Sequence, residues 1–135
     1  MEKYYFEKRT GYGFEEAATK ITEELKKEGF GILTEINMDE KFREKLGKEF
    51  RRYRILGACN PGLSYRAVQI EDKIGTMLPC SVIIQEIEPG VTEVAAIDPY
   101  TSMKSLVSGQ LLDLASEASA MIKRAVDNLP VSAKT

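Results

Sequence analysis

The chain has 135 residues, of which 43% are apolar and 30% charged, with a net charge of −2. That balance excludes a disordered chain, and no apolar run approaches the roughly 18 residues of a membrane-spanning helix. Histidine is absent, which removes Ser-His-Asp triads, His-ligated zinc and histidine general bases together.

The length fits one domain, expected over residues 1–130, with a frayed tail at 131–135. Area scaling gives about 7,000 Å² folded against about 22,000 Å² unfolded, enough burial for one core without disulfide or metal staples. Tyr4 to Arg9 alternates as a short strand, and Gly11-Tyr12-Gly13 is a turn. Phe14 to Glu28 follows as a helix, with Phe14, Ala17, Ala18, Ile21 and Leu25 on one face and Gly29 just past its end. Phe30 to Ile36 is the second strand. Asn37 precedes a short helix, with Glu40 spaced as in a capping box, Phe42 and Leu46 one turn apart, and Gly47 as the stop.

Tyr53 to Cys59 is the third strand. It runs into Asn60-Pro61, an N-cap followed by a first-turn proline, opening a helix whose apolar face is Leu63, Ala67 and Ile70. After a connection over 71–78, Cys80 to Ile87 is the strongest strand, expected at the centre of the sheet. Pro89-Gly90 turns it into Val91 to Ile97, and Asp98-Pro99 breaks that strand. Ser108 is placed to cap a long last helix ending at Leu129, with Leu111, Leu114, Ala115, Ala118, Met121, Ile122, Ala125 and Leu129 as its stripe. The order β-α-β-α-β-α-β-β-α predicts an α+β two-layer sandwich, with a mixed five-stranded sheet and three to four helices.

Charge is uneven along the chain. Residues 31–66 carry eight basic and five acidic groups, and residues 67–103 carry one and six. Between Phe50 and Ile70 lie Arg51, Arg52, Arg54 and Arg66 with no acid. Such a segment reads as a solvated face or, more sharply, as an anion-binding patch. A nucleic-acid partner is not expected, because the basic footprint is small and the chain is acidic overall.

The two cysteines, Cys59 and Cys80, are not a CxxC pair, and without histidine they cannot close a four-ligand zinc site within one chain. Neither a metal nor a cofactor is expected. No signal peptide is apparent, which points to the cytoplasm and argues against a structural disulfide. Cys59 stands directly before a helix start, where free N–H groups and the helix dipole favour a thiolate. Cys80 shares a strand face with Val82 and Ile84, which favours a neutral, inert thiol. Antiparallel pairing of their strands would bring the two thiols to one edge of the sheet, and parallel pairing would separate them. The start of the helix at Asn60-Pro61-Gly62 is primarily a structural cap that is also able to hold a small anion. Glu86 and Asp98 are the only acid–base candidates, and each reads as a turn or surface residue.

Three motifs carry a resemblance. Ile55-Leu56-Gly57-Ala58-Cys59-Asn60-Pro61, Ile74-Gly75-Thr76-Met77-Leu78-Pro79-Cys80 and Ala96-Ile97-Asp98-Pro99 resemble the uncharacterised family catalogued as domain of unknown function 302. Gly29 to Ile36 and the Leu46-Gly47 pair resemble it as well. The likeness extends over about residues 3–129, with Asn37 departing where the family often carries an acid. It implies a compact α/β domain, often a homodimer, with no established activity and with some members associated with sulfur-metabolism genes.

The expected function is therefore a dimeric, non-enzymatic binding or assembly module. Its site, for a small anion or sulfur species, is drawn from Cys59, Asn60, Pro61, Arg66 and Cys80. The alternatives are a thiol-active sulfur carrier or redox protein with Cys59 as nucleophile and Cys80 as partner, and a metal or cofactor site shared between subunits. No membrane partner is expected.

Overall fold

The computed structural model describes residues 2–131. Five strands, β1 (Tyr5–Thr10), β2 (Gly31–Asn37), β3 (Tyr53–Cys59), β4 (Cys80–Glu88) and β5 (Val91–Ile97), form one sheet in the order β1-β5-β4-β3-β2. The helices are α1 (Phe14–Lys27), α2 (Met38–Leu46), α3 (Pro61–Ile70), α4 (Pro99–Met103) and α5 (Gln110–Asp127), with a 3₁₀ segment at Asp72–Met77. The α+β class and the five strands are as expected, and β4 holds the central place.

The sheet is antiparallel at every pairing rather than mixed. The reason lies in the connections. A parallel pair needs a crossover that returns along the strand length. Neither α2 nor α3 makes one. Asn37 pairs with Arg54 and Ala58 with Cys80, so α2 and the α3–3₁₀ segment are enlarged hairpin loops at opposite ends of β3. Only α1 crosses the sheet, from the β1 edge to the β2 edge.

α1 and α5 cover one face of the sheet and contact each other. Ile21 and Leu25 from α1, Val82, Ile84 and Val94 from the sheet, and Ile122, Val126 and Leu129 from the α5 end fill the centre of the core. Two buried threonines pin the β1–α1 turn. Thr10 Oγ1 donates to the Thr92 carbonyl at 3.0 Å, and Thr92 Oγ1 donates to the Tyr12 carbonyl at 2.8 Å.

Several boundaries differ from expectation for local reasons. Among the described residues there are five helices rather than three or four, because Asp98-Pro99 opens α4 as well as ending β5. Asp98 accepts from Thr101 N at 3.3 Å, the same device as Asn60-Pro61. α5 starts at Gln110 after Gly109 (φ 61°) instead of being capped by Ser108. Asn37 makes no cap bond; its Oδ1 accepts from Arg54 Nε at 2.7 Å. The long-range cation outcompetes the local capping box. The expected frayed tail is tied at its first residue, where the Val131 carbonyl accepts from Gly11 N at 2.7 Å; residues 132–135 lie outside the described residues. Among the described residues, no helix is long and apolar enough to cross a membrane.

Candidate functional site

The Cys59-Asn60-Pro61 run builds a corner where β3 meets α3. Asn60 Oδ1 accepts from Leu63 N at 3.2 Å, and Pro61 occupies the first turn, where it owes no donor. The same side chain points its amide outward as a strut. Nδ2 donates to the Glu28 carbonyl at the end of α1 (3.3 Å) and lies 3.8 Å from Met121 Sδ on α5. Gly29, at φ 84°, makes the room: a Cβ there would sit 3.0 Å from Asn60 Nδ2. One residue thus fastens three helices, which is the structural-cap reading of Asn60 extended to tertiary packing.

Antiparallel β3–β4 pairing sets Cys80 opposite Ala58, one residue from Cys59. Both half-buried thiols line one apolar recess under α3 and α5, walled by Phe30, Leu63, Ala67, Met103, Leu114 and Ala118. The recess is small: about 50 Å³ of it admits the centre of a water-sized sphere. One water needs about 10–15 Å³ on that measure, so roughly three to five such objects fit. Its polar groups are few. Cys59 Sγ lies 3.1 Å from Ser64 Oγ, one turn into α3. Burial, reinforced by the nearby Cys59, pushes the Cys80 thiol up to about 11 and keeps it neutral at physiological pH. Cys80 and Met103 also border a second, open hollow with Met77, Pro79 and Ser102.

Cys59, Asn60 and Cys80 therefore come together, whereas Arg66 does not. It lies on the outer side of α3, exposed, 3.9 Å from Glu117 of α5. The other arginines of the basic segment are occupied elsewhere. Arg54 is buried beneath α1, where it donates through both terminal nitrogens to Glu15 at 2.9 Å. Arg52 joins Glu15 at 2.9 Å, and the Phe14 ring lies 4.1 Å from the Arg52 guanidinium and 5.0 Å from that of Arg54. The Arg54 hydrogen bonds, opposed by partial desolvation and joined by Arg52, hold the Glu15 carboxyl at about 2. Arg51 donates to Gln85 Oε1 at 2.8 Å. Arg51, Arg52 and Arg66 thus lie on a solvated surface, while Arg54 is internal scaffolding whose acids, Glu15 and Glu35, come from α1 and β2.

Sequence reasoning missed this cluster because its partners lie 37 to 39 residues apart. It also missed Ser64, although a serine five residues after Cys59 falls one turn into the expected helix. Asp98 is engaged as the cap of α4. Desolvation pushes its carboxyl up, but donations from Ser119 Oγ (2.6 Å) and Thr101 outweigh this and hold it below its ordinary value. Glu86 is half-buried, and its N–H donates to the Arg52 carbonyl. Among the described residues, no group of three or more Cys, Asp or Glu side chains is placed to hold a metal ion.

A family model described as "Domain of unknown function DUF302" matches residues 6–129. The chain is similar to a solved protein, the crystal structure of an uncharacterized conserved protein DUF302 from Bacillus stearothermophilus. The two share 26% sequence identity at a TM-score of 0.85, over 95% of this chain and 99% of that one. Comparison with curated proteins finds no match.

Proposed function

This chain belongs to the DUF302 family, a domain of unknown function, and we propose that it is a non-enzymatic module that holds a small sulfur species in the recess between Cys59 and Cys80. The observation that carries the reading is that the only two thiols of the sequence line one small apolar recess. Of the two ligand classes expected, the lining favours sulfur over a free anion. An unpaired anion in an apolar site costs several kcal/mol, Arg66 is elsewhere, and Asn60 already caps Leu63 N. A polarizable, weakly hydrated sulfur chain suits two thiols and the Met103 thioether.

The test exposes the reduced, folded protein to sodium polysulfide, followed by desalting and native mass measurement. Added sulfur that is retained in the native spectrum and lost on denaturation is expected. An unchanged native mass with both thiols still titratable overturns the reading. Added sulfur mapped covalently to Cys59 would make the module a sulfur carrier, a role favoured by the Ser64 hydroxyl beside Cys59 Sγ.

The reading includes a homodimer. The apolar stripe of α5 is spent inside the fold, so it is not the interface. The candidate interface is the sheet face opposite α1 and α5, where Tyr5, Tyr53, Ile83, Ala95 and Ile97 surround a shallow groove and Ile36 is exposed at the β2 edge; exposed apolar side chains also lie on α3, at Tyr65, Val68 and Ile70. Its polar row is internally satisfied: Glu93 accepts from Gln85 at 3.1 Å and Arg9 at 3.3 Å. Five strands of six to seven paired residues give a footprint of about 500 Å² before side-chain corrugation. That is on the scale of the roughly 800 Å² of accessible surface that a stable complex takes from each partner. Light scattering at micromolar concentration is expected to give a dimer, and Ile83→Lys a folded monomer. A monomeric wild type overturns this part.

A further inference from the structure

We propose that Cys59 and Cys80 form a reversible intramolecular disulfide, with low-molecular-weight disulfides of the glutathione class as oxidants. The inference does not depend on the sulfur-binding reading. It starts from register. Cys80 stands opposite Ala58 in the β3–β4 ladder, and Cys59 is the next residue along β3. Neighbouring strands lie about 4.8 Å apart and each residue rises about 3.4 Å, so the diagonal Cα separation is about 6 Å. A disulfide takes Cα separations of about 4.4–6.8 Å.

Direction is the second requirement. In a strand that continued regularly, Cys59 and Ala58 would face opposite sides of the sheet, which would keep the two thiols apart. Cys59 is the last residue of β3 and the chain turns at Asn60 into α3. Its sulfur faces Ser64 Oγ, and both cysteines line the same recess. The helix start that follows Cys59 thus directs the two thiols to one space.

The chemistry is ordinary thiol–disulfide exchange. The Cys59 sulfur attacks one sulfur of glutathione disulfide. The glutathione S–S bond breaks, one glutathione leaves and takes up a proton, and Cys59 carries a mixed disulfide. Cys80 then gives its thiol proton to solvent and attacks the Cys59 sulfur, and the bond to the second glutathione breaks. In sum, two protein thiols lose two electrons and two protons, and one glutathione disulfide becomes two thiols. The order follows from the surroundings: the half-buried Cys80, kept neutral by desolvation, is a poor first attacker. The product pins the start of β4 to the β3–α3 corner and consumes both thiols of the recess.

The experiment incubates the reduced full chain with glutathione disulfide under anaerobic conditions. It is quenched in acid and unfolded, and free thiols are then alkylated with N-ethylmaleimide for intact and peptide mass analysis. Wild type is expected to become lighter by two hydrogens, to take no maleimide, and to yield a linked Cys59–Cys80 peptide pair. Cys80→Ser is expected to stop at a single glutathione adduct on Cys59. The conversion of adduct to disulfide in wild type is expected to accelerate about tenfold per pH unit above neutrality, because Cys80 must lose its proton. A stable glutathione adduct as the wild-type end product overturns the proposal, as do two thiols that remain free in the folded protein. The wild-type peptide map decides the matter even if the Cys80→Ser variant does not fold. Polysulfide retention is read on reduced protein, so either proposal can fail while the other stands.

Discussion

Replacing Asn60 separates its two jobs. The bond from Leu63 N to Oδ1 is an N-cap, and loss of such a cap costs about 1 kcal/mol. The bond from Nδ2 to the Glu28 carbonyl ties α3 to the end of α1 and adds about 1 kcal/mol. Asn60→Ala is therefore expected to lose about 2 kcal/mol. Unfolding entropy of about 2.1 cal/mol/K per residue over 135 residues converts this to a melting shift of about 7 °C. Asn60→Ser keeps a capping oxygen but does not reach Glu28, so it is expected to lose only about half as much. Urea unfolding followed by circular dichroism measures both. Equal losses for serine and alanine would show that the cap contributes nothing beyond the strut, and a loss below about 0.5 kcal/mol for alanine would refute both roles.

Two further outcomes follow from the scaffold. The Glu15 carboxyl lies at about 2 in the folded protein against an ordinary 4.5, so its ion pairs with Arg54 and Arg52 stabilise the fold fully above pH 4.5. That contribution is lost as pH falls from 4.5 to 2. Because the Glu15 side chain is 62% exposed, screening holds the contribution to about 1 kcal/mol. Urea midpoints measured across that range are expected to fall less steeply in Glu15→Gln, and identical profiles would count against the pairing. Gly57→Ala is expected to destabilise by about 1–3 kcal/mol through overpacking. A Cβ there would overlap Thr34 Oγ1 and sit 2.7 Å from Pro79 Cγ. Thr34→Ala in the same chain is expected to restore part of the loss, and an unaffected melting temperature in the single variant would show that the corner yields.

What the sequence settled by itself is local. Alternation marked β1 and a β-branched run marked β4, a 3–4 spacing marked the buried faces of α1 and α5, and Asn60-Pro61 announced a capped helix start. Gly29 and Gly47 announced stops at φ 84° and 63°. These signals act within a turn or a strand, where propensity and hydrogen-bond supply decide the conformation. Pro89-Gly90 announced the β4–β5 hairpin, but only the tertiary structure decided the other strand partners, because a strand ladder satisfies its backbone groups equally in parallel or antiparallel pairing. The geometry of the connections makes that choice. Reading Asp98-Pro99 as a break alone concealed α4, since Asp98 also supplies its cap. The basic run around Arg54 looked free because its acids, Glu15 and Glu35, arrive from α1 and β2. The meeting of Cys59 and Cys80 has the same origin. They stand 21 positions apart in the sequence, and one antiparallel pairing, with a chain turn at Asn60, brings both thiols into a single recess.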